Sequence, residues 1–124
     1  MLQRAKLIAF LATTSADRAR RFYRDVLGLK LLSEDEFALA FVAGGTMLRI
    51  QKVEKLAPQP FTALGWAVSD IKEVIGKLAK SGVKFERYSF LEQDVLGIWQ
   101  APSGTKVAWF KDPDGNLLSV SNNG

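Results

Sequence analysis

The sequence predicts an α+β fold in which two tandem βαβββ modules form a cupped mixed sheet with helices on its outer face. A strand-like apolar run, an amphipathic helical segment and a glycine occur in that order over residues 7–28 and again over 62–82. Three further strand-like segments follow each of these repeats, and a tight turn separates the last two in each half. We therefore expect a single domain, 1–124, with halves of approximately 1–56 and 57–124.

The two helices are predicted from apolar residues that recur with helical spacing. In the first half the helix covers 16–27, follows a strand at 7–12, and is capped by Ser15 or Thr14. In the second half a strand at 62–68 leads to a helix that starts after Asp70. Glu73 stands three residues after Asp70, which is the spacing of a capping box. A glycine, Gly28 or Gly82, ends each helix.

The remaining strands are predicted by apolar runs between turn residues. We expect them at 29–33, 37–42 and 47–52 in the first half, and at 84–90, 105–111 and 116–121 in the second. Gly44 and Gly45 form the turn of the first half. The run 112–115, Asp-Pro-Asp-Gly, forms that of the second, because proline presets one dihedral and glycine allows a positive one.

Composition excludes several classes of chemistry. The 124 residues include no Cys and no His, which rules out disulfides, thiol nucleophiles, thiolate or imidazole metal ligands and a Ser-His pair. No apolar run approaches the roughly 20 residues that span a membrane, and the first residues lack the pattern of a secretory signal. We expect a cytoplasmic protein that does not associate with membranes.

The net charge of +4 comes from dispersed lysines and arginines. They occur in two regions, around 18–30 and around 72–87, at the spacing of solvated helix faces. Basic residues are not interleaved with aromatics in a nucleic-acid recognition motif. We therefore expect no nucleic-acid partner.

Three segments resemble one known family. Residues 22–28, Phe-Tyr-Arg-Asp-Val-Leu-Gly, resemble the Phe-Tyr-x-x-x-Leu-Gly signature of the vicinal-oxygen-chelate superfamily, which includes glyoxalase I, extradiol dioxygenases, fosfomycin-resistance enzymes and bleomycin-resistance proteins. Residues 110–116, Phe-Lys-Asp-Pro-Asp-Gly-Asn, are similar to its terminal hairpin, and 66–71 are similar to its middle strand-to-helix junction. The resemblance spans the chain and implies the fold, whereas one fold hosts many chemistries.

The resemblance also implies where metal ligands would stand, on the first and last strands of each half. Those positions here are Ile8, Arg49, Ala63 and Ser119. Isoleucine and alanine have no donor atom, arginine is a fixed cation, and serine alone is a poor ligand. We therefore expect a member of this fold with no metal and no other cofactor.

Arg49 is the main polar candidate in the cup. By strand alternation it points inward, where its guanidinium could bind a carboxylate or phosphate of a small ligand. The alternative is an arginine at the rim that pairs with a nearby acid.

The other candidates for ligand binding are mostly apolar. Trp99 lies in the predicted loop 97–104, where it forms an aromatic lid or, alternatively, fixes the loop to the body of the protein. Core packing is the alternative for Trp109 and Phe90. The predicted lining of the cup comprises Ile8, Phe10, Ala63, Ser119, Trp99, Trp109 and Phe90.

These residues suggest a protein that binds a small apolar or aromatic organic molecule, with an anionic group as an option, as bleomycin-resistance relatives bind drugs. The alternative is a metal-independent lyase, isomerase or dioxygenase-like enzyme that uses Arg49 and ordered water. A third hypothesis is an interaction module whose paired sheets support a dimer. Many relatives dimerise, so the resemblance implies a homodimer.

Overall fold

A computed structural model describes residues 1–122 and shows two compact units, Met1–Ala57 and Pro58–Gly124. Each unit contains one four-stranded mixed sheet and one helical segment, in the order strand, helix and three strands. The predicted α+β fold with two βαβββ modules is therefore confirmed. Within the described part of the chain, none of the helices has the length and apolar character needed to cross a bilayer.

The elements of the first unit follow the predicted order closely. They are β1 (Ile8–Thr13), α1 (Ala16–Arg20) with a π-helical continuation (Arg21–Val26), β2 (Lys30–Glu34), β3 (Ala38–Ala43) and β4 (Thr46–Lys52). The sheet order is β1-β4-β3-β2, in which β1 and β4 are parallel and the other neighbours antiparallel. Ser15 caps α1, because its side chain accepts a hydrogen bond from the backbone N–H of Arg18.

The first sheet has one face packed against its helix. Leu11, Ile50 and Leu39 lie side by side across three strands and are all buried. Tyr23 of the π-helical segment is fully buried, with its ring centroid 5.8 Å from that of Phe41. The opposite side, which we call the helix-free face of the first sheet, carries Ile8, Phe10, Ala40, Met47 and Arg49.

The second unit contains the remaining five elements. They are β5 (Leu64–Ala67), α2 (Ile71–Lys80), β6 (Trp99–Gln100), β7 (Lys106–Lys111) and β8 (Leu117–Asn122). The sheet order is β5-β8-β7-β6, and only the β5–β8 pair is parallel. The strand β6 is thus an edge of this sheet.

The cap of α2 confirms the sequence interpretation, since the Asp70 side chain accepts a 3.1 Å hydrogen bond from the Glu73 N–H. Helix α2 buries Ile71, Ile75 and Leu78, and the sheet buries Phe110, Leu118 and Val120. The opposite side, which we call the helix-free face of the second sheet, carries Gly65, Ser119, Trp109, Val107, Trp99 and Ser121.

The predicted strand at 84–90 is wrong. Only Phe85 forms a bridge, with Phe110, and the fourth strand of the unit is β6 instead. The Gln93 side chain explains the difference, because its amide accepts from the Tyr88 N–H at 2.8 Å and donates to the Glu86 carbonyl at 3.0 Å. These two backbone groups would otherwise extend the hydrogen-bonded ladder next to β7, and they are bonded to the Gln93 side chain instead.

Both predicted turns are present. Gly44 and Gly45 have φ values of +53° and +80°, which residues with a Cβ rarely adopt. In the second turn, Asp112 Oδ1 accepts 2.9 Å hydrogen bonds from the N–H groups of Asp114 and Asn116. These bonds fix the register of β7 and β8, which is continuous from Lys106 to Lys111.

Candidate functional site

The first unit brings three of the candidate residues to its helix-free face. Phe10 lies beside Arg49 across the parallel pair, and Ile8 lies beside Met47. Phe10 and Ile8 remain 53% and 48% exposed, although both are large and apolar. An exposed apolar pair next to a cation is a surface suited to an amphipathic ligand.

Arg49 is half-buried and lacks a partner within residues 1–122: its guanidinium makes neither a hydrogen bond nor an ion pair with them. The positive charge of Arg49 acts on the carboxyl of Asp35. Hydrogen bonds from the N–H groups of Phe37 and Ala38 lower the pKa of that carboxyl, and the positive charge of Arg49 lowers it further. The guanidinium therefore keeps its donors free for a ligand.

The second unit positions Ala63 and Ser119 by strand pairing. The Ala63 N–H donates a 2.8 Å hydrogen bond to the Leu117 carbonyl at the start of β5. Ser119 lies between Gly65 and Trp109 in the register of the sheet. A Cβ on Gly65 would stand 2.6 Å from Ser119 Oγ, so the missing side chain leaves room for this hydroxyl.

Four aromatic side chains of the second unit form a continuous row. The ring centroids of Trp99 and Trp109 are 6.1 Å apart, those of Trp109 and Tyr88 are 5.8 Å apart, and those of Tyr88 and Phe90 are 5.4 Å apart. Phe90, at the end of this aromatic row, is 79% exposed. The row offers ring faces and edges to a flat apolar molecule.

Trp109 is held in place by its polar atom, because its indole Nε1 donates a 3.0 Å hydrogen bond to Thr62 Oγ1. Burial raises the pKa of the Tyr88 phenol above its ordinary value, and the negative charge of Glu86 adds to the effect. Tyr88 therefore stays protonated at neutral pH and keeps a hydroxyl donor in the aromatic row.

Sequence reasoning missed Tyr88, Thr62 and Met47. Met47 could have been found, because it alternates with Arg49 along one strand. Tyr88 could not, since its orientation depends on the segment that was wrongly predicted as a strand. Trp99 lies on β6 and not in a loop, so its predicted location is also wrong.

The four positions at which the resemblance implies a metal do not fit one. Strand pairing places Ile8 and Arg49 on one helix-free face and Ser119 on the other, whereas Ala63 precedes β5. Together they offer one hydroxyl and one guanidinium, and no carboxylate or imidazole. From residue 1 to 122 the structure also shows no group of three acidic, histidine or cysteine side chains that could hold an ion.

Two sizeable cavities lie among the described residues of the second unit. One of about 540 Å³ runs beside β6 and includes Trp99 in its wall. The other, of about 440 Å³, is lined by the chain before β5, by the β7–β8 turn and by Tyr88. Both volumes lie within the range of small-molecule sites.

The sequence matches the family model of the Glyoxalase/Bleomycin resistance protein/Dioxygenase superfamily over residues 6–120. The chain belongs to this superfamily. The match covers nearly all of both units, in agreement with the resemblance in the segments 22–28 and 110–116. No curated protein matches the chain significantly.

Solved structures of other proteins share the fold. Lactoylglutathione lyase from Agrobacterium tumefaciens is 19% identical with a TM-score of 0.74, covering 96% of this chain and 93% of its own. A superfamily member from Sphaerobacter thermophilus DSM 20745 is 20% identical with a TM-score of 0.77, covering 99% and 100%. TnmS3, an antibiotic binding protein from Streptomyces sp. CB03234, is 19% identical with a TM-score of 0.77, covering 100% and 99%. At these identities the likeness is one of fold.

Proposed function

We propose that this protein binds a small organic molecule with an apolar or aromatic part and a negatively charged group, without the help of a metal ion. The observation that carries the proposal is Arg49, a half-buried guanidinium without an ion pair or hydrogen bond among the described residues. A partly desolvated cation favours an anionic partner, and a planar fork of donors suits a carboxylate, phosphate or sulfonate.

The surroundings of Arg49 supply the apolar contact. Phe10 pairs with it across the sheet, and Met47 and Ile8 lie one step along the same helix-free face. The second unit has an apolar surface of its own, the aromatic row. In the first unit we propose Phe10 and Ile8 as ligand contacts together with Arg49. In the second unit, taken by itself, we propose Trp99, Trp109, Phe90, Ala63 and Ser119 as ligand contacts.

An anionic aromatic dye tests the proposal. We expect 1-anilinonaphthalene-8-sulfonate to bind the folded protein saturably, and Arg49→Gln to raise its Kd by about tenfold or more, because a charge-assisted hydrogen bond is lost. Arg18→Gln is the matched control, since Arg18 lies exposed on α1. Circular dichroism of each variant checks that the fold is intact. Equal dye affinity for the wild type and Arg49→Gln would refute the proposal.

The natural ligand can be sought directly. Native mass spectrometry of freshly purified protein would detect a molecule that is retained through purification. TnmS3 is an antibiotic binding protein of the same fold, so we propose aromatic antibiotics with an acidic group as the first compounds to screen.

Three further proposals come from the sequence alone. We propose that the protein is cytoplasmic, that it forms a homodimer, and that residues 1–124 unfold as one domain. Light scattering at two protein concentrations tests the dimer. A single cooperative transition, seen at the same denaturant concentration by fluorescence and circular dichroism, tests the single domain.

A further inference from the structure

A cavity of about 540 Å³ lies along the edge strand of the second sheet. Trp99 and Gln100 are consecutive in β6 and therefore point to opposite faces of the sheet, yet both line this cavity. It thus follows the sheet edge rather than either face. Its lining also includes the buried Ile98 and four charged residues.

The charges in this edge cavity are balanced but unpaired. Its lining includes two lysines, Lys72 and Lys106, and two acidic residues, Glu92 and Asp94. None of the four forms an ion pair with any residue that the structure describes. The cavity of about 440 Å³ differs, because its Lys111 is paired with Glu86 at 3.5 Å.

The wall that carries the carboxylates is held in place by hydrogen bonds. Asp94 Oδ1 accepts 2.9 Å bonds from the N–H groups of Leu96 and Ile98. The Arg87 guanidinium donates to the carbonyls of Gln93 and Asp94, at 3.2 and 2.8 Å. The carboxylate of Asp94 is therefore fixed before a ligand arrives, which lowers the cost of ordering the site on binding.

We propose that the edge cavity binds a free α-amino acid with an aromatic or branched apolar side chain. A ligand with only a negative charge would face two carboxylates, and one with only a positive charge would face two ammonium groups. A zwitterion satisfies both signs, with its carboxylate toward Lys72 and Lys106 and its ammonium toward Glu92 and Asp94. Trp99 and the buried Ile98 supply apolar contact for the side chain.

The residues that line the edge cavity belong to the second unit and Arg49 belongs to the first, so binding in the edge cavity does not depend on the proposed function. It is tested with three probes that share a phenylethyl skeleton: L-phenylalanine, 3-phenylpropanoate, which lacks the ammonium, and phenethylamine, which lacks the carboxylate. By calorimetry or ligand-observed NMR we expect saturable binding of L-phenylalanine with a Kd below about 1 mM. The Kd of each single-charge analogue should be about tenfold higher.

Variants locate the binding in the edge cavity. Lys106→Gln should weaken L-phenylalanine binding by about fivefold or more and leave phenethylamine binding nearly unchanged, because only the carboxylate partner is lost. Glu92→Gln should give the opposite pattern: it should weaken the binding of phenethylamine and leave the binding of 3-phenylpropanoate nearly unchanged. Glu92 is exposed, so we expect Glu92→Gln to fold. This variant tests the proposal even if Lys106→Gln does not fold.

Two controls separate this site from others. Lys111→Gln changes the cavity of about 440 Å³ and should bind L-phenylalanine like the wild type. 3-Phenylpropanoate is an aromatic anion of the class proposed for Arg49, so the three probes are also compared in the Arg49→Gln protein, where that cation is removed. The proposal is overturned if L-phenylalanine does not bind Arg49→Gln at millimolar concentration, if 3-phenylpropanoate binds Arg49→Gln as well as L-phenylalanine does, or if Lys106→Gln and Glu92→Gln bind like the wild type.

Discussion

The indole of Trp109 is tied to Thr62 by a hydrogen bond of 3.0 Å between Nε1 and Oγ1. The bond joins β7 to the segment that leads into β5. The strands β5 and β7 are not neighbours in the sheet, because β8 lies between them. Trp109 also contacts Trp99 and Tyr88 in the aromatic row. One hydroxyl therefore fixes the orientation of the ring at the centre of that row.

Thr62→Val should release this ring while keeping the shape of residue 62. We expect a loss of about 1 kcal/mol or less in unfolding free energy, because the bond is partly exposed to water. The near-ultraviolet circular dichroism of the tryptophans should also weaken. Thr46→Val, a matched change at the start of β4 in the other unit, should leave that spectrum unchanged. An unaltered spectrum in Thr62→Val would show that the bond does not orient the indole.

Gln93 is the residue that organises the loop before β6. Its side chain accepts from the Tyr88 N–H and donates to the carbonyls of Glu86 and Gly97, at 2.8, 3.0 and 2.8 Å. Its backbone also bridges Trp99. Both ends of the segment from 86 to 97 thus depend on one amide.

Gln93→Ala should leave these backbone groups without their partner and destabilise the protein by about 1–3 kcal/mol in urea unfolding. Gln93→Glu should be at least as harmful, because a carboxylate cannot donate to two carbonyls. Gln59→Ala, at an exposed position in the same unit, is the control and should change stability by about 0.5 kcal/mol or less. A Gln93→Glu variant as stable as the wild type would contradict the role assigned to the amide.

The sequence was sufficient wherever the apolar pattern and the turn residues agreed. The bounds of β7 and β8 were predicted to within a residue, because the turn at 112–115 fixes where β7 ends and where β8 begins. The helix at 16–27 was predicted in extent, but its second part is π-helical, with the Leu27 N–H bonded to the Phe22 carbonyl five residues back. Periodicity of apolar residues does not distinguish that local change in winding.

The wrong predictions in the second unit have one physical cause. Residues 84–90 contain three aromatic residues and were predicted as a strand, but the Gln93 side chain forms hydrogen bonds with the backbone groups of Glu86 and Tyr88. A side-chain amide that competes with a β-ladder leaves no periodic signal in the sequence. Because of this error, Tyr88 was not among the candidate residues and Trp99 was predicted to lie in a loop. Strand alternation, in contrast, was enough to place Arg49 and Phe10 on the same face of the first sheet.

Glu34 gives a prediction about pH. Its carboxylate pairs with Lys52 at 2.9 Å and with Arg20 at 2.8 Å, so these cations lower its pKa below the ordinary value. A depressed pKa in the folded state contributes stability above the unfolded pKa of about 4.3, and that contribution is lost as the pH falls through the lower folded value.

Glu34→Gln should therefore reduce stability at pH 7 by an amount on the order of 1 kcal/mol, the size expected of partly exposed pairs. The difference from the wild type should shrink at pH 3, as measured by urea unfolding at both pH values. Glu36→Gln removes an exposed carboxylate without an ion pair among residues 1–122 and should show a smaller effect at pH 7. An equal deficit for Glu34→Gln at both pH values would refute the assignment.

Gly65 and Ser119 are paired across β5 and β8, and their fit can be tested by a double-mutant cycle. A Cβ on Gly65 would lie 2.6 Å from Ser119 Oγ but 3.9 Å from Ser119 Cβ. Gly65→Ala should thus be destabilising by about 1 kcal/mol, since the hydroxyl must rotate away. In a Ser119→Ala background the same change should be neutral or stabilising, because the clashing atom is gone and alanine restricts the unfolded chain. Urea unfolding of the four proteins gives the coupling energy. Purely additive effects would mean that the hydroxyl does not occupy the space left by the glycine, and Ser119 would then lose its support as a positioned ligand contact.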